Sequence, residues 1–160
     1  MQQPTIETPR LLIRELIDAD ADGMFALDSN ANVHRYLGNN PIKTIEEAKD
    51  IIGKVRKQYK DLGIGRWAMI EKNSGEFIGW TGFKFNTEPV NGYHNFLDLG
   101  YRLREEFWGN GYATESAFAS MNYICTNGNH DSIYGMAEID NEASNVILNK
   151  KVGMRFVNSF

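Results

Sequence analysis

Apolar and polar positions alternate with a period of two along Leu11–Leu16, Trp67–Glu71, Glu76–Phe85 and Phe96–Arg104, so these four stretches are expected as strands. The period lengthens to that of a helix in Thr44–Leu62, where Ile45, Ala48, Ile51, Ile52, Val55 and Tyr59 share one face. Thr44 stands three residues before Glu47, the spacing of a capping box, and Gly63 and Gly65 stop the helix. Shorter helices are expected over Asp20–Leu27, Ala113–Asn127 and Ala143–Val152, the last ended by Gly153. Lys72-Asn73-Ser74-Gly75 marks a hairpin, Val33–Pro41 a polar connection, and Asn86–Asn95 a longer loop. Gly128-Asn129 breaks the chain before a strand at Ser132–Glu138, and Met154–Phe160 can add one more strand. An antiparallel meander followed by strand-helix-strand implies a mixed α+β domain with one right-handed crossover and one parallel pairing.

With 160 residues, 42% of them hydrophobic, residues 1–160 suffice for a single domain with its own core. A formal net charge of -4 argues against a broad nucleic-acid or membrane surface, and no apolar run is long enough to cross a bilayer. Cys125 is the only cysteine, which excludes an intrachain disulfide or a thiolate metal cluster. With no signal-like segment at the start, the expected compartment is the cytoplasm. Asp18, Asp20 and Asp22 before Gly23 imitate the opening of a calcium loop, but position twelve is Ser29 where a Glu is needed. Acids in the first turn of a helix are the simpler reading.

The chemistry concentrates at Trp108-Gly109-Asn110-Gly111, between a strand and a helix. Two glycines permit a tight turn, and the free N–H groups of the following helix sit at the positive end of its dipole, which suits a phosphate. A plain reversing turn, a dinucleotide site with its third glycine lost and Glu138 on the ribose, and an acetyl-CoA cradle all fit this turn alone. Roughly a hundred residues of helices and antiparallel strands before the turn weigh against the dinucleotide fold.

Five segments, in order, resemble GNAT-fold acetyltransferases of the RimJ/RimL ribosomal-protein N-acetyltransferase branch. They are Thr8-Pro9-Arg10-Leu11-Leu12-Ile13-Arg14, Phe77-Ile78-Gly79-Trp80-Thr81-Gly82, Asp98-Leu99-Gly100-Tyr101-Arg102-Leu103, Trp108-Gly109-Asn110-Gly111-Tyr112-Ala113-Thr114-Glu115, and Asn141-Glu142-Ala143-Ser144-Asn145 with Lys151-Val152-Gly153-Met154. The resemblance implies a central twisted mixed sheet with helices on both faces, whose two central strands splay to admit the pantetheine arm of acetyl-CoA. Backbone at Leu99, Tyr101 and Leu103 would hold that arm. Phe107, Trp108, Gly109, Asn110, Gly111, Tyr112, Ala113 and Thr114 would hold the pyrophosphate, with Asn141 as a further cofactor ligand. Glu106 replaces the usual Gln or Arg, so a basic group from Arg102, Arg104, Lys150 or Lys151 would have to assist. Family members usually continue past the strand after Gly153-Met154 with another that closes the acceptor side, so that last strand is expected to be missing here.

The implied reaction moves an acetyl group from acetyl-CoA to a primary amine by direct transfer in a ternary complex. A non-catalytic acyl-CoA sensor of the same fold is the alternative. Asp98 is the candidate base, because an amine must lose a proton before it attacks. Ser144 is the candidate donor to the departing thiolate; the Tyr position of many relatives is Leu148 here. Tyr36, Trp80, Phe83 and Asn86 are candidates for the acceptor side. His34, His94 and His130 lack metal-like spacing, and no metal is implied. The expected partner is a peptide N-terminus or small amine, and the chain is expected to be a monomer or homodimer.

Overall fold

A computed structural model describes residues 2–128 and 130–160; the Asn129 half of the expected Gly128-Asn129 break lies outside the described residues. Among the described residues, six strands form one sheet in chain order: β1 (Ile6–Glu7), β2 (Leu11–Glu15), β3 (Arg66–Glu71), β4 (Phe77–Asn86), β5 (Phe96–Leu103) and β6 (Ile133–Gly135). The first five pair antiparallel, and β6 pairs parallel with β5 after a crossover through α3 (Tyr112–Asn127). Helices α1 (Ala21–Asp28) and α2 (Ile45–Leu62) cover one face. There Gly23 lies so close to Phe77 that a Cβ would fall 2.6 Å from its ring. Helix α3 covers the other face, where Ser120 Oγ meets Thr81 Oγ1 at 3.2 Å and Tyr123 meets Trp67 edge-on. Among the described residues, no helix is long and apolar enough to cross a membrane.

Helix α2 begins as its sequence requires: Thr44 Oγ1 accepts from the Glu47 N–H, and the Glu47 carboxylate accepts from the Thr44 N–H at 2.9 Å. Such a box is worth about 1 kcal/mol. Gly63 ends it in the left-handed region at φ 73°, and Ala48, Ile52, Val55 and Tyr59 are its buried stripe.

Four expectations are corrected. Helix α1 starts at Ala21 and not at Asp20, because Asp20 belongs to a 3-10 turn, Asp18–Asp20. Its carboxylate is committed to Arg14 through two contacts of 2.8 Å and to the Ile17 N–H at 2.9 Å. The connection at Val33–Tyr36 is a 3-10 turn. β6 spans three residues where seven were expected, since its pairing with β5 stops at Leu99↔Gly135. Helix α4 (Glu142–Val146) passes into a π-helical turn, Ile147–Lys151, and no strand follows. The Met154 N–H that would have opened that strand donates instead to the Leu148 carbonyl at 2.8 Å.

One consequence positions the site. β5 keeps β4 as its neighbour as far as Leu103, but beyond Leu99 its other edge has no strand beside it among the described residues. The sheet opens between Gly100–Leu103 and the segment leading into α4.

Candidate active site

At the foot of this opening the chain turns from β5 into α3. Gly109 and Gly111 take φ values of 76° and 82°, which side chains other than glycine adopt only under strain. Gly111 is the N-cap of α3 and offers no side chain to bond the first turn. As a result, the six consecutive N–H groups from Gly109 to Thr114 have no partner among the described residues, and the next, Glu115, donates to the Gly111 carbonyl at 3.0 Å. Free donors at the positive end of a helix fit the pyrophosphate of acetyl-CoA.

The turn is shaped from behind. Glu115 accepts from Thr8 Oγ1 at 2.6 Å, from the Arg10 N–H at 3.0 Å and from Arg10 Nε at 2.7 Å. Arg10 Nη1 also donates to the Asn110 carbonyl at 2.7 Å, and its guanidinium lies 4.3 Å from the centroid of the Tyr112 ring. Burial works to raise the Glu115 pKa, but the bonds from Thr8 and Arg10 prevail and hold it low. The Asn110 amide donates to the Phe107 and Trp108 carbonyls, and Trp108 Nε1 to the Leu103 carbonyl at 2.9 Å, while the Trp108 ring stays 46% exposed. Carbonyls are thus drawn inward and N–H groups left outward. This bracing by Thr8, Arg10 and Glu115 was missed by sequence reasoning, which placed them only among the resembling segments, with Glu115 107 residues beyond Thr8 and 105 beyond Arg10.

Of the basic groups expected near the phosphates, two are engaged elsewhere. Arg104 donates to the Phe77 carbonyl at 3.0 Å and to Glu106 at 2.5 Å, so the departure at Glu106 neutralises a neighbour. Arg102 Nη1 donates to Asp28 on the α1–α2 face. Lys150 and Lys151 lie exposed on the π-helical turn.

Strand register assembles the opposite wall. Arg66, Gly82 and Gly100 are partners across β3, β4 and β5; Trp80 pairs with Arg102, and Lys84 with Asp98. The Trp80 ring carries Arg66 4.2 Å and Arg102 5.1 Å from its centroid. A Cβ on Gly100 would meet that indole at 3.2 Å, which explains a glycine inside a strand by close packing. Asp28, 1% exposed, receives Arg102 at 2.6 Å, and His34 Nε2 stands 3.4 Å from the same oxygen without hydrogen-bond alignment. Asp98 Oδ1 is buried without a partner. Burial pushes its carboxyl up to about 6, against the pull of Arg66 and Lys84.

The acceptor-side candidates separate. Trp80 lies in this wall, and Asn86 is buried with its Nδ2 unpartnered. Tyr36 is half-buried in the 3-10 turn, with Arg35 5.4 Å from its ring centroid. Phe83 does not line the cleft: it is fully buried on the α3 face, edge-on to Trp67 at 6.0 Å.

On the far side of the opening, Asn141 caps α4 by accepting from the Ser144 N–H at 3.2 Å. Asn145 Nδ2 donates to the Glu138, Ile139 and Asn141 carbonyls and fixes the approach to the helix. Tyr101 reaches across to the Ser144 carbonyl at 3.4 Å, and the Ser144 hydroxyl has no protein partner among the described residues. Leu148 is buried, packed against Gly135 of β6. Asp98 thus stands on β5 just before its edge opens, and Ser144 on α4 in reach of Tyr101 beyond that point.

Residues 10–155 match the acetyltransferase (GNAT) domain family. The chain is 33% identical over 147 residues to the uncharacterized N-acetyltransferase YoaA of Bacillus subtilis, covering 92% of this chain and 81% of that protein. An acetyltransferase of the GNAT family from Bacillus anthracis superposes with a TM-score of 0.76 at 21% identity, over 95% of this chain and 84% of that one. RimL, a ribosomal L7/L12 alpha-N-protein acetyltransferase solved in complex with coenzyme A, gives 0.75 at 21% identity, over 92% and 82% of the two chains. At that identity the likeness is one of fold. With the family match spanning most of the sequence, the chain belongs to the GNAT acetyltransferases, enzymes that take their acetyl group from acetyl-CoA.

Proposed function

We propose that the enzyme acetylates a primary amine by direct transfer, with acetyl-CoA and amine bound together. The observation that carries this reading is Asp98, whose Oδ1 is buried and unbonded and whose carboxyl is pushed up to about 6 by burial, two residues before the edge of β5 opens at Gly100. A primary ammonium ion must give up a proton to become a nucleophile, and a base near pH 6 is ionised yet still basic enough to receive it at neutral pH. The six free N–H groups of residues 109–114 would bind the pyrophosphate, and the unpaired backbone edge at Gly100–Leu103 would align the pantetheine arm. The Ser144 hydroxyl would donate to the thiolate as it leaves. Exposed Cys125, late in α3, lies outside these elements, which favours transfer without an acyl-cysteine.

Thermal-shift titration with acetyl-CoA, CoA and NAD tests the cradle, since a ligand of the folded state raises the melting temperature. Both CoA species should raise it and NAD should not. Initial rates with a panel of amines and N-terminal peptides then test the order of events: intersecting double-reciprocal lines are expected, and parallel lines would refute direct transfer.

A further inference from the structure

Arg66 is a cation with acidic neighbours but no contact ion pair among the described residues. Its guanidinium rests on Trp80, its Nε is enclosed, and none of its three side-chain nitrogens has a hydrogen-bond or ion-pair partner among the described residues. Burial, then the neighbouring Arg102, push its pKa down and prevail over the pull of Asp98 and Asp28. The carboxylate that might neutralise it, Asp28, is already held by Arg102 at 2.6 Å. Asp98 lies near enough to attract it, but its buried Oδ1 makes no hydrogen bond to it. A half-buried guanidinium whose Nε is enclosed and unbonded has lost part of its hydration, and the indole face returns only some of it. Arg66 Nη2 lies 3.9 Å from where a Cβ of Gly100 would stand, at the residue where β6 has left β5. The unpaired cation thus sits at the mouth of the opening, one alternate strand position from Asp98.

Resting on the amine reading above, we infer that the acceptor is a primary amine bearing a carboxylate, with the carboxylate received by Arg66 while the amine faces Asp98. The planar fork of Arg66 suits a carboxylate, and the two charges of such an acceptor would each meet their opposite. A free amino acid and a peptide whose first residue is Asp or Glu both offer this chemistry.

The test compares matched acceptors on the intact enzyme: free L-amino acids against their amides, and Asp- or Glu-initiated peptides against Asn- or Gln-initiated ones. One or both acidic arms should exceed the neutral partner by about 10²-fold or more in kcat/KM, because a neutral amine leaves the half-buried cation unpaired. The arm that shows the preference identifies the source of the carboxylate. Arg66→Met should bring the acidic-to-neutral ratio of kcat/KM to about one, and Arg66→Lys should restore part of it. Equal rates in both arms, an equal loss for both classes in Arg66→Met, or no acetylation in either arm by protein that binds acetyl-CoA would overturn the inference. Failure to bind acetyl-CoA would instead strike the proposed function itself.

Discussion

Replacing Asp98 by Asn removes a half-buried negative charge, one of whose oxygens is enclosed, at nearly constant volume. Its carboxyl is pushed from 3.8 to about 6, chiefly by burial. A carboxyl that is harder to ionise when folded adds stability at low pH, and that stability is lost as pH rises from the unfolded value through the folded one. At about 1.4 kcal/mol for each tenfold in the protonation constant, the cost of ionising Asp98 reaches about 3 kcal/mol above pH 7. Asp98→Asn escapes it. Urea unfolding at pH 4 and pH 7.5 should therefore show the variant gaining about 2–3 kcal/mol on the wild type between the two values. The same variant should lose 10²–10⁴-fold in kcat, with the acidic limb of the wild-type rate profile near pH 6 abolished. A stability difference that stays constant with pH would refute the account of a strained carboxylate, and unchanged kcat would refute its role as base.

Three other substitutions probe the rest of the site. Glu115→Gln weakens the contacts that tie Arg10 and Thr8 behind the turn and should raise the KM for acetyl-CoA about tenfold with kcat changed less, read from initial rates. Ser144→Ala keeps the backbone carbonyl that Tyr101 contacts and should lower kcat about 10-fold or more while calorimetric affinity for CoA holds within about twofold. Phe83→Ala should cost about 3–5 kcal/mol in denaturant unfolding, as befits a fully buried ring, with acceptor KM unchanged in the protein that remains folded.

What could be read in advance followed the range of the interactions. The Thr44–Glu47 box, the hairpin at Lys72–Gly75 and the pair of glycines before α3 are decided within a few residues, and each appears where its spacing points. Alternation also carried information that the grouping of Trp80, Phe83 and Asn86 passed over, because an odd position among even ones faces the other side of the sheet. The brace from Arg10 to Glu115 has no local signature: it exists only once β2 lies beside the start of α3. Nor does alternation say where a partner strand ends. Met154–Phe160 carries a plausible strand pattern, but pairing is a property of two segments, and its first N–H is taken by Leu148. The unpaired Arg66 was hidden for the same reason, since a missing partner shows only when every neighbour is in place.

Trp108 has a use apart from chemistry. Trp67 and Trp80 are buried at 0% and 6% exposure, whereas Trp108 stands 46% exposed on the turn beneath the opening, its indole tethered to the Leu103 carbonyl. Tryptophan emission, excited selectively over the tyrosines, is therefore the sum of two interior fluorophores and one at the cradle. Quenching by iodide should reach Trp108 first, and a nucleotide settling on the turn should shield it. Occupancy of the turn becomes an optical signal that requires no label and no turnover.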